Sequence, residues 1–333
     1  MRIRTPGKIR DQLWFLGSAE SCIYLLEGKK ESMFVSAGLS YIVPEVVKQL
    51  KEFHIDETTL RKILILHSHF DHVGIIPFFK RRNPRLEIYA SARGWEILKM
   101  PKAIQTINEF SRSVARRRGR ESVYESYDLE WRDEISGISI PDGAQIDLGC
   151  LEVVIMETPG HSSCSISAYV PKLKALFASD AGGIPYRDII GASGNSNFTE
   201  FQRNLEKLKD LDVAYVCADH YGYVAGDEAK SFIRQTIEAA KQERALMEKA
   251  YRKTGDIEIA AKALTAGYFR RYPDWVVSPE IVEGVYRQML RHIASSKTLP
   301  SPSTPAARSR FGEDREEGHP ACQAAGEGVD RGR

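Results

Sequence analysis

The chain lacks the features that mark secreted, membrane-spanning or nucleic-acid-binding proteins. Its five cysteines are odd in number and scattered without a CxxC spacing, which indicates reduced thiols in a cytoplasm rather than a disulfide scaffold. No apolar run is long enough to cross a bilayer, and the opening MRIRTPGKIRDQLWFLG carries charges where a signal peptide needs apolar residues. A net charge of +2 gives no reason to expect nucleic acid or an anionic membrane as a partner.

Short apolar segments alternate with helical patterns over the first two hundred residues, which indicates an α/β architecture. Apolar spacing and turn residues predict helices at 44–53 and 198–211. The strand order does not follow from the pattern. The predicted strands are residues 12–16, 22–26, 32–36, 62–66, 86–90, 151–156, 166–170 and 175–178.

Three further segments depart from this alternation. Residues at about 93–130 contain a helical insertion, and three helical patterns at 228–252, 257–269 and 279–295 predict a C-terminal helical subdomain spanning 227–297. The segment 298–333 consists mostly of Pro, Ser, Ala, Gly and charged residues, which predicts a disordered tail. The main α/β domain then covers residues 1–226.

The most informative motif follows the apolar strand that ends at Leu66. Three histidines and an aspartate occur within six residues, as His67, His69, Asp71 and His72. Neutral imidazoles and carboxylates are good ligands for zinc, iron or manganese. A turn allows side chains at successive positions to converge, which neither a strand nor a helix does. The motif therefore predicts a metal site at the end of this strand.

Three more residues of ligand type follow apolar runs later in the chain. They are His161 in Pro-Gly-His-Ser, Asp180 in Phe-Ala-Ser-Asp, and His220 in Ala-Asp-His-Tyr. Each comes at the C-terminal end of its run, where α/β folds gather their functional sites. Five of the eight histidines in the chain thus belong to one pattern.

This combination of motifs resembles the metallo-β-lactamase superfamily over about residues 10–225. The resemblance implies an αββα sandwich, with two sheets face to face between helices, to which the C-terminal helical subdomain is added. It also implies two divalent metal ions per chain, zinc, iron or manganese. By this likeness His67, His69 and His161 hold one ion, Asp71, His72 and His220 hold the other, and Asp180 bridges them.

An aspartate at the bridging position is similar to the glyoxalase II branch of this superfamily. The opening residues 6–17, the helical insertion and the helical C-terminal unit resemble thioesterases of alkylquinolone biosynthesis, which act on an aroyl-acetyl-CoA intermediate. These likenesses imply a metal-dependent hydrolase, above all a thioesterase for an acyl-CoA or related thioester. In such an enzyme a hydroxide shared by the two metals attacks the carbonyl, and Asp71 both ligates and accepts a hydrogen bond from it.

Other functions stay open on the sequence alone. The same fold also carries phosphodiesterases and lactonases, and a regulatory protein that binds a partner can keep its metal site. A small-molecule thioester or ester is the expected ligand, and no nucleic acid or membrane is expected. The helical segments are candidates for a homodimer interface or for contact with a regulatory protein.

The sequence departs from its relatives in two places near the predicted site. Many relatives have Asp-Thr-Gly after the third strand, where this chain has Ser36, Ala37 and Gly38, so we expect Ser36, Ser40 or water to orient a ligand histidine instead. Around the last ligand the chain has Asp219-His220-Tyr221-Gly222, which places a bulky tyrosine beside the site.

Several residues are candidates for substrate contacts. Tyr186, Tyr221 and Tyr223 lie close in sequence to predicted ligands and either orient a substrate carbonyl or pack beneath the metal loops. The basic cluster at 116–120 either contacts the phosphates of coenzyme A or forms a solvated helix end, and the second is the more common role of such charge runs.

Overall fold

The computed structural model describes residues 1–275 and 277–295, whose strands form two seven-stranded sheets. In chain order these strands are β1 (Arg2–Ile3), β2 (Gly7–Arg10), β3 (Leu13–Ser18), β4 (Ser21–Glu27), β5 (Ser32–Val35), β6 (Leu60–Leu64), β7 (Glu87–Ala90), β8 (Ile138–Ser139), β9 (Gln145–Asp147), β10 (Glu152–Glu157), β11 (Ile166–Val170), β12 (Ala175–Phe177), β13 (Tyr215–Cys217) and β14 (Tyr223–Ala225). The helices are α1 (Val43–Glu52), α2 (Ile76–Arg82), α3 (Ala92–Leu98), α4 (Pro101–Arg117), α5 (Val123–Ser126), α6 (Phe198–Leu208), α7 (Asp227–Thr254), α8 (Ile257–Arg271) and α9 (Pro279–Ser295).

The two sheets differ in strand direction. The first has the order β2-β3-β4-β5-β6-β7-β8 and changes from antiparallel to parallel pairing at β5. The second has the order β1-β14-β13-β12-β11-β10-β9 and is antiparallel except for the parallel pair β12–β13. The first and last strands of the chain's α/β part thus pair with each other, which no local pattern specifies.

Three layers of buried apolar side chains separate four layers of secondary structure. Between the sheets, Phe15 and Leu64 of the first pack with Val153 and Phe177 of the second. The outer face of the first sheet packs on α1, α2 and α4. The outer face of the second sheet packs on α6 and on the C-terminal helices α7, α8 and α9. The αββα sandwich expected from the sequence is therefore confirmed.

All eight predicted strands are present, with ends displaced by up to two residues. The pattern does not predict β1, β2, β8, β9 or β14, which are only two to four residues long, and it shows β13 only as the apolar run before His220. The interior strand β4 is buried on both faces, which explains its nearly continuous apolar sequence.

Helices in the insertion and in the C-terminal region begin and end at residues that typically cap helices. Pro101 begins α4 and separates it from α3 within the insertion. Gly255 ends α7 in the left-handed conformation, and the Asp256 side chain then accepts a hydrogen bond from the Ile259 N–H at the start of α8. In the described part of the chain, no helix is long and apolar enough to cross a membrane.

The predicted domain division at residue 226 is not decided by these features and stays a prediction. The tail predicted at 298–333, together with the last two residues of the predicted helical subdomain, lies outside the described residues.

Candidate metal centre

Four loops at the C-terminal ends of strands bring the predicted ligands to one end of the sandwich. They follow β6 of the first sheet and β10, β12 and β13 of the second. A backbone hydrogen bond from the Ile166 N–H to the Leu66 carbonyl joins the two sheets at this edge. The loops carry His67, His69, Asp71 and His72 after β6, His161 after β10, Asp180 after β12 and His220 after β13.

The first cluster consists of His67, His69 and His161. The Nδ1 atom of His69 lies 3.1 Å from the Nε2 atom of His67 and 3.1 Å from the Nε2 atom of His161. All three ligand atoms lie within 4.8 Å of one another. The residues that the likeness assigned to one metal are thus brought together from two sheets.

The second cluster consists of Asp71, His72 and His220. The Nε2 atoms of the two histidines are 3.3 Å apart. Asp71 places Oδ1 3.6 Å from the Nε2 of His72 and Oδ2 3.5 Å from the Nε2 of His220. These ligand atoms also lie within 4.8 Å of one another.

Asp180 lies between the two clusters. Its Oδ2 atom is 3.5 Å from the Nε2 of His161 and 3.4 Å from the Nε2 of His72. Its Oδ1 atom is buried and accepts no hydrogen bond from any described residue. The Nε2 of His220 lies 3.8 Å from it, and a buried carboxylate oxygen without a hydrogen bond is costly, so this position favours a cation.

The outer nitrogens of the histidines determine which atoms face inward. The Nδ1 of His161 is 2.8 Å from the Ser193 carbonyl oxygen, and the Nδ1 of His220 is 2.6 Å from the Glu20 carbonyl oxygen. Because a carbonyl only accepts, Nδ1 donates in both rings, and the Nε2 lone pair of the neutral ring points into the site. Converging lone pairs and carboxylates repel one another unless a cation lies between them, so the donor set fits bound metal.

Asp219 supports both clusters from behind. Its Oδ2 atom lies 2.8 Å from the Nδ1 of His72 and also accepts a hydrogen bond from the Ser179 hydroxyl. Ser179 Oγ in turn lies 3.1 Å from the Nδ1 of His67 and can only accept from it, since its own proton is used on Asp219. One buried carboxylate therefore orients a histidine in each cluster.

The expectation that Ser36 or Ser40 orients a ligand is wrong. Ser40 Oγ bonds the Tyr124 hydroxyl at 2.7 Å, and Ser36 Oγ is buried without a hydrogen-bond partner among the described residues. The supporting group comes instead from the residue before His220, on the other sheet. Spatial proximity across the sandwich, rather than proximity along the chain, decides this role.

The protonation states of the first cluster favour metal binding. Burial, reinforced by neighbouring His161, lowers the pKa of His69 to about 3, and burial also lowers the pKa values of His67 and His161. Neutral imidazole is the form that ligates a metal. These three rings are therefore ready to bind at neutral pH.

In the second cluster, the carboxylates and histidines shift one another's pKa values. Burial alone would raise the pKa values of Asp71 and Asp180, but the adjacent His72 and His220 hold both well below their usual range. Burial would likewise lower the pKa of His220, yet Asp180 and Asp71 raise it to about 8. The carboxylates thus stabilise positive charge at this position, which a divalent cation supplies.

A cavity of about 2330 Å³ opens above the two clusters. His69, Asp71, His161, Asp180 and His220 all contribute to its lining. Its other walls come from α4 of the insertion, from the segment 184–196, and from α7, α8 and α9. A substrate much larger than the ligand cluster itself therefore has room to bind.

A sequence profile of the metallo-β-lactamase superfamily matches residues 21–220, more than half of the chain. The chain belongs to the metallo-β-lactamase superfamily. Members of this superfamily are mostly metal-dependent hydrolases, and the His and Asp groups described above are candidate sites for divalent metals.

Relatives such as ST1585 and TTHA1429 share about a fifth of their residues with this chain. The chain is 20% identical over 218 residues to the metallo-β-lactamase fold-containing protein ST1585 of Sulfurisphaera tokodaii, covering 65% of this chain and 78% of the relative. The crystal structure of ST1585 gives a TM-score of 0.52 at 18% identity, and the match covers 68% of this chain and 85% of ST1585.

Two further solved structures share the fold. The family protein TTHA1429 of Thermus thermophilus gives a TM-score of 0.61 at 18% identity, covering 89% of this chain and 98% of that one. Rubredoxin oxygen:oxidoreductase of Desulfovibrio gigas gives a TM-score of 0.52 at 16% identity, and the match covers 75% of this chain and 70% of that one. At these identities the likeness establishes the fold and does not transfer a substrate.

The three candidate substrate tyrosines lie in different surroundings. Tyr186 and Tyr221 are buried in an aromatic cluster, with ring centroids 4.9 and 5.5 Å from that of Trp275. Trp275 itself lines the cavity. Tyr223 lies on β14 and packs edge-to-face with Phe15 at 6.3 Å between the sheets. Their role in substrate binding stays a prediction.

The basic cluster at 116–120 is partly neutralised within the fold. Arg116 pairs with Glu121 at 2.6 Å, and Arg118 pairs with Glu20 at 2.8 Å. Arg117 lines the cavity instead. Of this cluster, Arg117 is the residue placed to reach a ligand in the cavity, and a role in binding coenzyme A stays a prediction.

Sequence reasoning missed Asp219 and Ser179, although both adjoin predicted ligands. An acid directly before the last histidine was the available signal for Asp219. It also missed the cavity-lining residues Tyr268, Tyr272 and Trp275 of the C-terminal region, for which no local signal exists.

Proposed function

We propose that this superfamily member is a binuclear metal-dependent hydrolase, and specifically a thioesterase acting on an acyl-CoA or related thioester. The observation that carries the proposal is the convergence of seven His and Asp side chains at one end of the sandwich, five of which line one large cavity. The assignment of His67, His69 and His161 to one ion, of Asp71, His72 and His220 to the other, and of Asp180 as bridge belongs to this proposal.

In this scheme the residues of the chain hold the metal ions, orient the ligand histidines and accept a hydrogen bond from the attacking water. Two zinc, iron or manganese ions, when bound, supply an activated water and polarise a carbonyl group. Asp71 offers a carboxylate oxygen at the cavity floor that accepts a hydrogen bond from the attacking water. Asp219, through His72 and through Ser179, keeps the histidines in one orientation.

A thioester fits this arrangement better than an oxygen ester or amide does. A thiolate leaves without prior protonation, so the reaction needs no dedicated general acid. The insertion and the C-terminal helices that wall the cavity are also features by which the sequence resembles the quinolone-signal response protein of alkylquinolone biosynthesis, while Asp180 is the feature that resembles the glyoxalase II branch. Phosphodiester and lactone hydrolysis, and a purely regulatory role, are the alternatives that the following experiment separates.

The test combines elemental analysis with a substrate panel. Metal-loaded wild type is assayed on an aromatic acyl-CoA, a lactone and a phosphodiester, beside His69→Ala and Asp180→Asn. We expect thioester turnover to fall by about a hundredfold or more in both variants, since the metal's charge stabilisation amounts to several kcal/mol. His54→Ala is the matched control, because His54 is exposed and belongs neither to the ligand clusters nor to the cavity lining.

Retained turnover in both ligand variants would contradict the metal-dependent mechanism. Faster turnover of the phosphodiester or the lactone would contradict the thioesterase assignment alone. For the regulatory alternative, pull-down of a partner by both ligand variants would assign the output to the protein surface instead.

We also propose a cytoplasmic location for this activity, because Cys22, Cys150, Cys164 and Cys217 are all unpaired. The small-molecule thioester is the main proposed partner, and no nucleic acid or membrane is required. A homodimer through helical segments and a regulatory protein partner stay secondary proposals.

A further inference from the structure

One buried carboxyl group on the cavity wall has no ion-pair partner among the described residues. Glu243 lies in the middle of α7 and lines the cavity. Its Oε1 atom is buried and forms no hydrogen bond with any described residue. By contrast, Glu238 on the same helix lines the same cavity and pairs with Lys241 at 2.5 Å. The two glutamates therefore differ in whether their charge is compensated.

The groups around Glu243 are tyrosines rather than cations. Burial raises the pKa of Glu243, and a hydrogen bond with Tyr286 of α9 offsets only part of this increase. Burial also raises the pKa of Tyr286, and the Glu243 charge adds to this. The pKa of Tyr268 of α8 is raised mainly by burial, with Tyr221 and then Glu243 contributing. Three elements thus meet at this carboxyl, and none of their described residues contributes a positive charge to it.

Aromatic rings continue the wall beside this carboxyl. The ring centroid of Tyr268 is 5.1 Å from that of Tyr272 and 5.4 Å from that of Trp275. All three rings belong to residues that line the cavity. Aromatic faces attract cations, and an aromatic wall with an adjacent carboxylate is the chemistry by which proteins bind ammonium groups.

We propose that Glu243, Tyr268 and Tyr286 form a subsite for an ammonium group carried by an apolar or aromatic part of the substrate. A buried carboxylate without a counter-charge is costly, and a ligand ammonium supplies both that charge and hydrogen-bond donors. A neutral ligand of the same shape supplies neither the charge nor the attraction to the rings. The subsite therefore selects positively charged substrates over neutral ones. None of its three residues is a proposed metal ligand.

This inference rests on the proposed hydrolase function only in naming the ligand a substrate, so the test measures binding rather than turnover. The metal-loaded full chain is titrated calorimetrically at neutral pH with phenethylamine and with phenethyl alcohol, its uncharged counterpart. We expect the amine to bind wild type about tenfold or more tightly than the alcohol, the usual size of a charge-assisted contact.

Two variants locate the effect. Glu243→Gln keeps the shape of the side chain, removes its charge and should abolish the preference for the amine. Glu238→Gln is the matched control on the same helix and cavity wall, and it should keep the preference. Circular dichroism checks that both variants fold. If Glu243→Gln does not fold, the comparison of the two ligands in the wild type decides the question.

Any of three results would overturn the proposal. These are equal affinities of the wild type for the two ligands, no measurable binding of the amine, and a preference for the amine that persists in folded Glu243→Gln. Thioester turnover is measured on the same samples. Amine selectivity without turnover would leave this inference standing and remove the proposed function, whereas turnover without selectivity would do the reverse.

Discussion

At the scale of single residues, Asp219 connects the two halves of the candidate metal centre. It bonds His72 of one cluster directly and reaches His67 of the other through the Ser179 hydroxyl. Its side chain is 2% exposed, so no bulk water replaces these contacts when they are lost. Groups that orient metal-ligating histidines in this way fix the ring and raise its basicity.

We expect Asp219→Asn to weaken metal binding about 10- to 100-fold, the usual effect of losing a group that orients a ligand. Both hydrogen bonds go to one oxygen of the carboxylate, and the neutral amide oxygen that replaces it accepts them more weakly, so both clusters should be affected. Competition with a chromophoric chelator measures the affinity.

Ser36→Ala is the control for this prediction. The Ser36 hydroxyl is buried without a partner among the described residues, so its loss should leave metal affinity unchanged. A drop in affinity for Ser36→Ala, with none for Asp219→Asn, would restore the original expectation that the serine orients a ligand.

At the scale of elements, the His161 loop is held against the start of α6. The Gly160 carbonyl accepts hydrogen bonds from the N–H groups of Ser196 at 3.1 Å and Asn197 at 2.9 Å. Gly160 has a φ of +131°, and a Cβ placed there would lie 2.2 Å from the backbone nitrogen of Phe201. Only glycine permits this close approach of loop and helix.

Gly160→Ala should therefore destabilise the protein by about 2–4 kcal/mol and reduce the metal content of the first cluster. The added methyl group must displace either α6 or the loop that carries His161. Urea unfolding measures the free energy, and elemental analysis measures the metal.

Gly119→Ala provides the comparison, because Gly119 has a φ of +64° but no atom within 4 Å of an added Cβ. Its cost should be limited to the backbone strain of about 1 kcal/mol. If the two variants lose the same stability and keep the same metal content, the packing of loop on helix is not what holds His161 in place.

At the scale of the whole molecule, the site depends on two sheets meeting at one edge. The first sheet supplies four of the seven proposed ligands and the second supplies three, while the C-terminal helices complete the cavity above them. Buried carboxylates held close together at this edge are costly without a cation between them, so we expect the loss of metal to destabilise the fold.

Removal of metal by a chelator should lower the thermal midpoint of the wild type by on the order of 5 °C, because a ligand that binds only the folded state adds to its stability. Differential scanning calorimetry with and without chelator measures the shift. His69→Ala should respond much less, since it has lost part of the site. An unchanged wild-type midpoint would contradict a contribution of metal to folding.

The sequence alone determined the fold class, the eight main strands and the positions of the candidate ligands. Local information suffices for these features. The alternation of apolar residues records which strand faces are buried, and a dense cluster of His67, His69, Asp71 and His72 after a strand records a site. The positions of His161, Asp180 and His220 after apolar runs were readable for the same reason.

The tertiary structure alone decided which residues support and surround the site. Asp219 and His72 are 147 positions apart, and Glu243 meets Tyr268 and Tyr286 only because α7, α8 and α9 pack together. Strand order, the cavity and the unpaired carboxyl on its wall likewise depend on contacts between distant segments. No local pattern records such contacts, because a side chain's neighbours across the sandwich are set by packing and not by its neighbours along the chain.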